Sequence, residues 1–144
     1  MILAPHKLGT VLVQSELLTP ERLQAAQEAA RDRAIPLEHV LVEDEYISDS
    51  NLGQIMADQY GIPFVSLAKK SIDDQTLRII PELVARRQSA IVFARDAQGM
   101  KVALHEPDNE EFIQHLSRKT GEAVVPYFAT ERDITEAFRL YRKD

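Results

Sequence analysis

Four histidines and several carboxylates are the residues whose chemistry could define a site. His6, His39, His105 and His115 are scattered, and no two stand three or four residues apart, so no spacing predicts metal ligation. The absence of cysteine excludes thiol catalysis and disulfides. The carboxylates between residues 106 and 111 are better explained by favourable charge at a helix N-terminus than by paired acid–base catalysis. With no glycine-rich phosphate loop and no Gly-x-Ser-x-Gly pattern, the sequence predicts neither a metal site nor a catalytic residue.

Two charged runs are candidates for contact with a partner protein. Glu43, Asp44 and Glu45 form the densest acidic run, and Arg86 and Arg87 form a basic pair. The simpler interpretation of each is a solvated surface, because acidic turns and arginines near a helix end commonly face water. The alternative is a contact with a partner of opposite charge, and both interpretations stay open at this level.

The charge of the chain is unevenly distributed. Residues 1–68 contain four Lys or Arg against ten Asp or Glu, whereas residues 69–144 contain 13 of each sign. Since polyanion binding depends on cations that neutralise phosphates, this pattern argues against nucleic-acid binding and suits a basic partner protein. No apolar run approaches the roughly 18–20 residues of a membrane span, and no signal peptide is visible, so we expect a cytoplasmic chain.

An internal repeat organises the first half of the chain. Residues 8–23 and 37–52 match at an offset of 29 residues. Each copy predicts a short apolar helix, a turn and a second helix, which Thr19 caps in one copy and Ser48 in the other. Because each copy buries its apolar face against the other, we predict a helical subdomain. The matching pairs are Leu8/Leu37, Val11/Val40, Leu12/Leu41, Val13/Val42, Glu16/Glu45, Leu18/Ile47, Thr19/Ser48 and Leu23/Leu52.

The second half contains three extended patterns. Residues 90–94 and 100–104 predict two strands joined by a hairpin turn, and residues 124–128 predict a third strand. Pro126 lacks the N–H that a central strand donates, so we expect the third strand at an edge or a strand end.

Helical patterns surround these strands. One of them, at residues 108–120, is predicted to begin with a capping box of Asp108 and Glu111. The predicted fold class is therefore α+β. A helical subdomain of two repeated helix pairs at residues 1–68 is followed by a small α/β subdomain at residues 69–144, with a three-stranded sheet and packed helices.

The repeat motif resembles that of a known family. The first copy reads Lys7-Leu8-Gly9-x-x-Leu12-Val13, then Leu17-Leu18-Thr19-x-x-x-Leu23. It resembles the cyclic di-GMP-binding motif of MshEN-type domains, which occurs twice in the family. That motif is Arg-Leu-Gly-x-x-Leu-Val-x-x-Gly-x-Ile-Thr-x-x-Gln-Leu, followed by Ala-Leu-x-x-Gln. The second half resembles the N-terminal domain of type II secretion ATPases in its Ile80-Pro81-Glu82-Leu83-Val84 and Thr130-Glu131-x-Asp133-Ile134 stretches. Over nearly its whole length, the chain resembles the N-terminal domain of type II secretion or type IV pilus assembly ATPases.

The resemblance implies which residues would contact cyclic di-GMP. In the family an arginine contacts guanine or phosphate, a glycine lets the backbone approach closely, and a terminal glutamine hydrogen-bonds the base. The corresponding candidates in this chain are Lys7, Leu8, Gly9, Leu12, Val13, Leu37, Leu41, Val42 and Gln59.

Four positions depart from that motif. Lys7 and Pro36 replace arginine, Ala30 replaces glutamine, and Glu38 replaces glycine. Lysine lacks the planar fork of arginine, and Glu38 brings a negative charge next to a dianionic ligand. Since each lost polar contact costs about 1–3 kcal/mol, we expect the scaffold to persist while cyclic di-GMP binds weakly or not at all. No other cofactor is expected.

The resemblance also implies a docking function. We expect a non-catalytic module that binds an inner-membrane platform or assembly protein of a secretion or pilus system, at the periphery of the inner membrane. The C-terminal ATPase domains of the same protein are a second expected partner. The alternative function is a cyclic di-GMP receptor regulating the same machinery, and no catalytic constellation supports a stand-alone enzyme.

Overall fold

Eight helices and three strands lie between residues 5 and 142, the part of the chain that the computed structural model describes. These elements confirm the predicted α+β class. The helices are α1 (Pro5–Gln14), α2 (Pro20–Arg33), α3 (Leu37–Glu43), α4 (Asp49–Tyr60), α5 (Asp74–Leu77), α6 (Glu82–Gln88), α7 (Glu110–Thr120) and α8 (Glu131–Ala137). The strands are β1 (Ala90–Asp96), β2 (Gly99–Leu104) and β3 (Val124–Phe128), and 3-10 turns cover Leu67–Lys69 and Phe138–Arg142.

The chain forms two compact units that divide between Leu52 and Gly53, within α4. The boundary after residue 68 that the sequence predicts stays a prediction. The extended segment after α4 is hydrogen-bonded to β3: Val65 N–H donates to the Phe128 carbonyl at 3.0 Å, and Phe128 N–H donates to the Pro63 carbonyl at 2.8 Å. These backbone bonds attach the segment to the second unit.

Helix caps set the local structure of the first unit. The Thr19 hydroxyl accepts a hydrogen bond from Arg22 N–H at 3.2 Å, and Pro20 occupies the first turn of α2, where its missing N–H costs nothing. The Ser48 hydroxyl accepts from Asn51 N–H at 3.1 Å in the second copy. Both predicted caps are therefore confirmed, and each begins the second helix of its pair.

The sheet of the second unit has the order β1-β2-β3. Strands β1 and β2 form an antiparallel hairpin in which Asp96 pairs with Gly99, as predicted, and β3 runs parallel to β2. Pro126 belongs to β3 and pairs with Val102 of β2. Strand β3 is the last strand in the sheet order. The edge position predicted for Pro126 is thus confirmed.

Helix α7 begins differently from the prediction. Asn109 is its N-cap, and its side-chain oxygen accepts from Phe112 N–H at 3.3 Å. The predicted capping box of Asp108 and Glu111 is therefore wrong. Asparagine caps a helix as well as aspartate does, and the Asn109 amide is fixed because it also donates to Gln88 Oε1 at 2.9 Å.

None of the helices between residues 5 and 142 combines the length and hydrophobicity that a membrane crossing requires.

Candidate functional site

The two repeats share one backbone hydrogen-bonding pattern. Leu17 N–H donates to the Leu12 carbonyl at 3.0 Å in the first copy, and Tyr46 N–H donates to the Leu41 carbonyl at 2.9 Å in the second. In each copy the next amide donates to the same carbonyl, at 3.3 Å and 3.0 Å. The sequence repeat is therefore also a structural repeat, with the same turn closing the first helix of both pairs.

A left-handed residue lies in each of these turns. Glu16 and Glu45 both have φ of 60°, a backbone conformation that costs a residue with a Cβ about 1–2 kcal/mol. The family motif has glycine at this position, so the two glutamates are further departures from it. Aligning the two copies pairs Glu16 with Glu45 but does not show that both positions need a positive φ. The glycine of the family motif at this position is the sequence signal for that conformation.

Four candidate ligand residues are core leucines. Leu8, Leu12, Leu37 and Leu41 are all at most 5% exposed. Burying a leucine side chain contributes about 1.5–3 kcal/mol, so packing alone accounts for their presence. Their role toward a ligand stays a prediction.

The other candidate residues lie closer to the surface. Val13 and Val42 are half-buried at equivalent positions of the two copies, and Lys7 is exposed at the start of the motif. Gln59 is also exposed, but it belongs to the second compact unit, whereas the other candidates belong to the first. Within the first unit, the repeat therefore positions the two valines equivalently.

Gly9 has a packing role. A Cβ on this buried residue would lie 3.0 Å from Leu23 Cδ2 and 3.5 Å from Gln27 Nε2, so α1 approaches α2 closely here. The equivalent residue of the second copy is the half-buried Glu38. Close helix packing thus explains the glycine of the first copy without a ligand.

The acidic run is partly used inside the first unit. Arg33 at the end of α2 holds both carboxylate oxygens of Asp44, at 3.0 Å and 2.8 Å. The hydrogen bond from Arg33, followed by its charge, lowers the pKa of the Asp44 carboxyl below its ordinary value. Glu43 and Glu45 are exposed, so they are the members of the run that remain at the surface for a partner.

Of the two adjacent arginines, Arg86 makes contacts within the second unit, whereas Arg87 lies at its surface. Arg86 Nε donates to Glu82 Oε2 at 2.9 Å, and its guanidinium lies 4.8 Å from the centre of the Phe138 ring. Arg142 donates to the same Glu82 oxygen at 3.2 Å. The hydrogen bond from Arg86 and then that from Arg142 lower the pKa of the Glu82 carboxyl. Arg87 is exposed beside this network.

An exposed leucine accompanies the arginines. Leu83 is 69% exposed, and with Leu17 at 43% it is one of two large apolar side chains that remain exposed in the described part of the chain. Leu83, Arg86 and Arg87 are spaced i, i+3 and i+4, so they lie on one face of α6. Leu83 could not be singled out from the sequence, because its exposure depends on which face of α6 the sheet covers.

No metal-type cluster is present between residues 5 and 142, where no three His, Asp or Glu side chains converge. Among the histidines, His105 Nε2 lies 3.9 Å from Glu131 Oε2, and His115 is exposed on α7. The surfaces described above therefore offer binding chemistry of two kinds, a repeated helix–turn–helix unit and a basic helix face.

Curated relatives of the chain are pilus assembly proteins. The type IV pilus assembly ATPase PilB of Myxococcus xanthus is 27% identical over 94% of this chain and 24% of its own length. PilB of Thermus thermophilus is 31% identical over 91% of this chain and 15% of its own length. The chain thus spans a quarter or less of these relatives.

Solved structures with the same fold come from similar proteins. The structure of MshE with cdg has a TM-score of 0.69 at 23% identity, covering 93% of this chain and 97% of that one. The N-terminal domain of XpsE has a TM-score of 0.63 at 11% identity, covering 96% of each chain. The family model described as MshEN domain matches residues 60–144, which lie outside both repeats, so the binding motif itself stays a prediction. Since that match covers more than half of the sequence, this chain belongs to the MshEN domain family.

Proposed function

We propose that this chain is a non-catalytic docking and regulatory module of a type IV pilus or type II secretion assembly ATPase, and that it binds an inner-membrane platform protein. The observation that carries the proposal is the match to PilB, which covers 94% of this chain but 24% of the relative. A small unit that corresponds to a minor part of a large ATPase is suited to connect that ATPase to other components. The ATPase domains of the same protein are a further proposed partner.

Two further observations support a docking role. The N-terminal domain of XpsE has the same fold as this chain, with a TM-score of 0.63. Each compact unit also presents charged residues at its surface, Glu43 and Glu45 in the first and Arg87 in the second. Such groups steer and orient a partner of complementary charge.

Co-elution on a size-exclusion column tests the docking proposal. The cytoplasmic domain of the cognate platform protein is mixed with the chain at high micromolar concentration. We expect a complex that elutes before either component and contains both. Separate elution of the two proteins at that concentration contradicts the proposal.

A second candidate function is that of a cyclic di-GMP receptor, which the structure of MshE with cdg favours. The structural repeat of this chain preserves the scaffold that such a ligand needs. Against it stand Lys7, Ala30, Pro36 and Glu38, where the family motif has arginine, glutamine, arginine and glycine. We therefore propose weak or absent nucleotide binding.

Calorimetry with cyclic di-GMP decides between the two functions. We expect no measurable heat for the natural chain up to about 100 µM nucleotide, since four lost contacts at about 1–3 kcal/mol each exceed the free energy of micromolar binding, about 8 kcal/mol, at the upper end of that range. A variant combining Lys7→Arg, Ala30→Gln, Pro36→Arg and Glu38→Gly is expected to gain binding. Micromolar binding by the natural chain would show that the substituted positions are not the ones that decide affinity.

A further inference from the structure

We propose that the exposed face of α6, formed by Leu83, Arg86 and Arg87, is a docking surface for an acidic amphipathic segment of a partner protein. This inference rests on the proposed docking function and names the surface and the chemistry of its partner. We call this face, together with the neighbouring Arg78 and Arg142, the arginine surface.

The inward side of α6 explains why this face is left open. Ala85 is fully buried and Val84 is half-buried against the second unit's core, whereas Leu83 is 69% exposed. A large apolar side chain that stays in water is unfavourable by about 1.5–3 kcal/mol relative to its buried state. A partner that covers Leu83 recovers this free energy on binding.

Hydrogen bonds hold three of the four arginines of this surface. Arg78 donates to the Tyr141 carbonyl at 2.9 Å, next to Arg142, which donates to Glu82. Glu82 also accepts from Arg86. The guanidinium groups of Arg78, Arg86 and Arg142 are thus held in place before a partner arrives, which lowers the entropy lost on binding.

The charge of the patch identifies the partner as acidic. The patch contains four arginines, Arg78, Arg86, Arg87 and Arg142, and two carboxylates, those of Asp74 and Glu82, so an excess of two positive charges remains. Arginine presents a planar fork that binds a carboxylate through two parallel hydrogen bonds. The chain already contains such a pair, because Arg33 holds Asp44 in this way.

A protein segment fits this surface better than a lipid bilayer does. Membrane-binding patches typically collect four to eight cations in a basic region, and each contributes about 1 kcal/mol. Here Asp74 and Glu82 offset two of the four arginine charges, so the net excess of the patch is two positive charges. One exposed leucine flanked by arginines matches a segment that places carboxylates on both sides of an apolar side chain.

Biolayer interferometry with the immobilised cytoplasmic domain of the platform protein tests the proposal. The full chain is compared with its Leu83→Ala and Arg87→Glu variants, since both side chains are exposed and their replacement leaves the core intact. Each is expected to weaken binding about tenfold or more. Leu17→Ala and Lys119→Glu are matched controls, because they change an exposed leucine and an exposed cation elsewhere, and they are expected to bind like the natural chain.

Other results of this experiment would contradict the α6 inference or the docking function. If both α6 variants bind like the natural chain while circular dichroism shows all proteins folded, the α6 inference is overturned and the docking function stands. If the natural chain itself fails to bind at high micromolar concentration, the docking function falls and the inference falls with it. Loss of binding by the controls as well would show that the surface is not specific.

Two further measurements exclude other occupants of the surface. In sedimentation, the natural chain and its Leu83→Ala variant are expected to show the same association state. In flotation with phosphatidylglycerol vesicles, the natural chain and its Arg87→Glu variant are expected to show the same vesicle binding. Self-association that is lost in Leu83→Ala would identify a second copy of the chain as the occupant. Vesicle binding that is lost in Arg87→Glu would identify an anionic membrane, and either result would overturn the proposal of an acidic partner segment.

Discussion

At the scale of single residues, two glutamates adopt a backbone conformation that favours glycine. Glu16 and Glu45 adopt φ of 60° in equivalent turns, where the motif has glycine. The turns nevertheless form, because the surrounding hydrogen bonds to Leu12 and Leu41 are made in both copies. The sequence predicted the repeat from its apolar positions but not this strain, since backbone conformation is not visible in residue type alone.

Replacing Glu16 by glycine is expected to stabilise the chain. Glycine removes the left-handed strain of about 1–2 kcal/mol but increases the entropy of the unfolded chain, so the expected net gain in free energy of unfolding is up to about 1 kcal/mol. Urea denaturation measures it. Glu21→Gly, in the regular helix α2, is the control and is expected to destabilise by about 1 kcal/mol; equal losses in both variants contradict the strain at Glu16.

Gly53→Ala is expected to destabilise the second unit. A Cβ at this buried position would lie 2.3 Å from Cε1 of Phe64, which has to move for the side chain to fit. The overpacking is expected to lower the free energy of unfolding by about 1–3 kcal/mol, although alanine favours helix more than glycine does. Thermal unfolding checks this, with the exposed Ser50→Ala as control; a rise in melting temperature for Gly53→Ala would contradict the close contact with Phe64.

At the scale of elements, the helices and strands were largely predictable from periodicity and caps. Thr19 and Ser48 cap the helices expected of them, because a hydroxyl before a periodic apolar pattern is a local signal. The start of α7 and the attachment of residues 62–68 were not predictable. Both depend on contacts between distant parts of the chain, such as Asn109 with Gln88.

Asp133 is such a distant contact, and its loss is expected to release the 3-10 turn at Leu67–Lys69. Its carboxylate accepts Leu67 N–H at 2.6 Å and Ala68 N–H at 3.2 Å. Asp133→Ala leaves the buried Leu67 amide without this acceptor, at a cost of about 1–3 kcal/mol. Faster hydrogen exchange at Leu67 and Ala68 is expected, while Arg132→Ala leaves their exchange unchanged. Unchanged exchange in Asp133→Ala would show that other groups hold the turn.

Tyr141 fastens the C-terminal 3-10 turn to the end of α5. Its hydroxyl donates to the carbonyls of Ile80 at 2.8 Å and Leu77 at 3.2 Å. Burial, followed by the charge of Glu82, raises the pKa of Tyr141 from 10.0 to about 12. Because the folded state holds the proton more tightly than the unfolded state, this contribution to stability is complete below pH 10 and is lost as the pH rises toward 12.

Tyr141→Phe is therefore expected to act in a pH-dependent way. At pH 7 the variant is less stable by about 1–2 kcal/mol, because two carbonyls lose their donor. Between pH 10 and about pH 12 the natural chain is expected to lose more stability than the variant, so their urea midpoints converge. Tyr127→Phe is the control, and an unchanged difference between Tyr141→Phe and the natural chain over this range would contradict the raised pKa.

At the scale of the whole molecule, the two compact units carry different surfaces. The first unit contains residues 8–23 and 37–52 of the repeat, with Leu8, Leu12, Leu37 and Leu41 buried and with Glu16 and Glu45 exposed at the turns. The second unit keeps the three-stranded sheet and exposes Leu83 among arginines. The repeat could be predicted because it is written twice in the sequence. The arginine surface could not, since the exposure of Leu83 follows from how α6 packs.

The docking function is tested most directly by isothermal titration of the natural chain with the cytoplasmic domain of the platform protein. A module that couples an ATPase to that protein is expected to bind it with a dissociation constant in the micromolar range or tighter. The affinity should fall with rising salt concentration, because charged surfaces are involved. Absence of binding heat at several temperatures, with both proteins folded and at high micromolar concentration, would contradict the account.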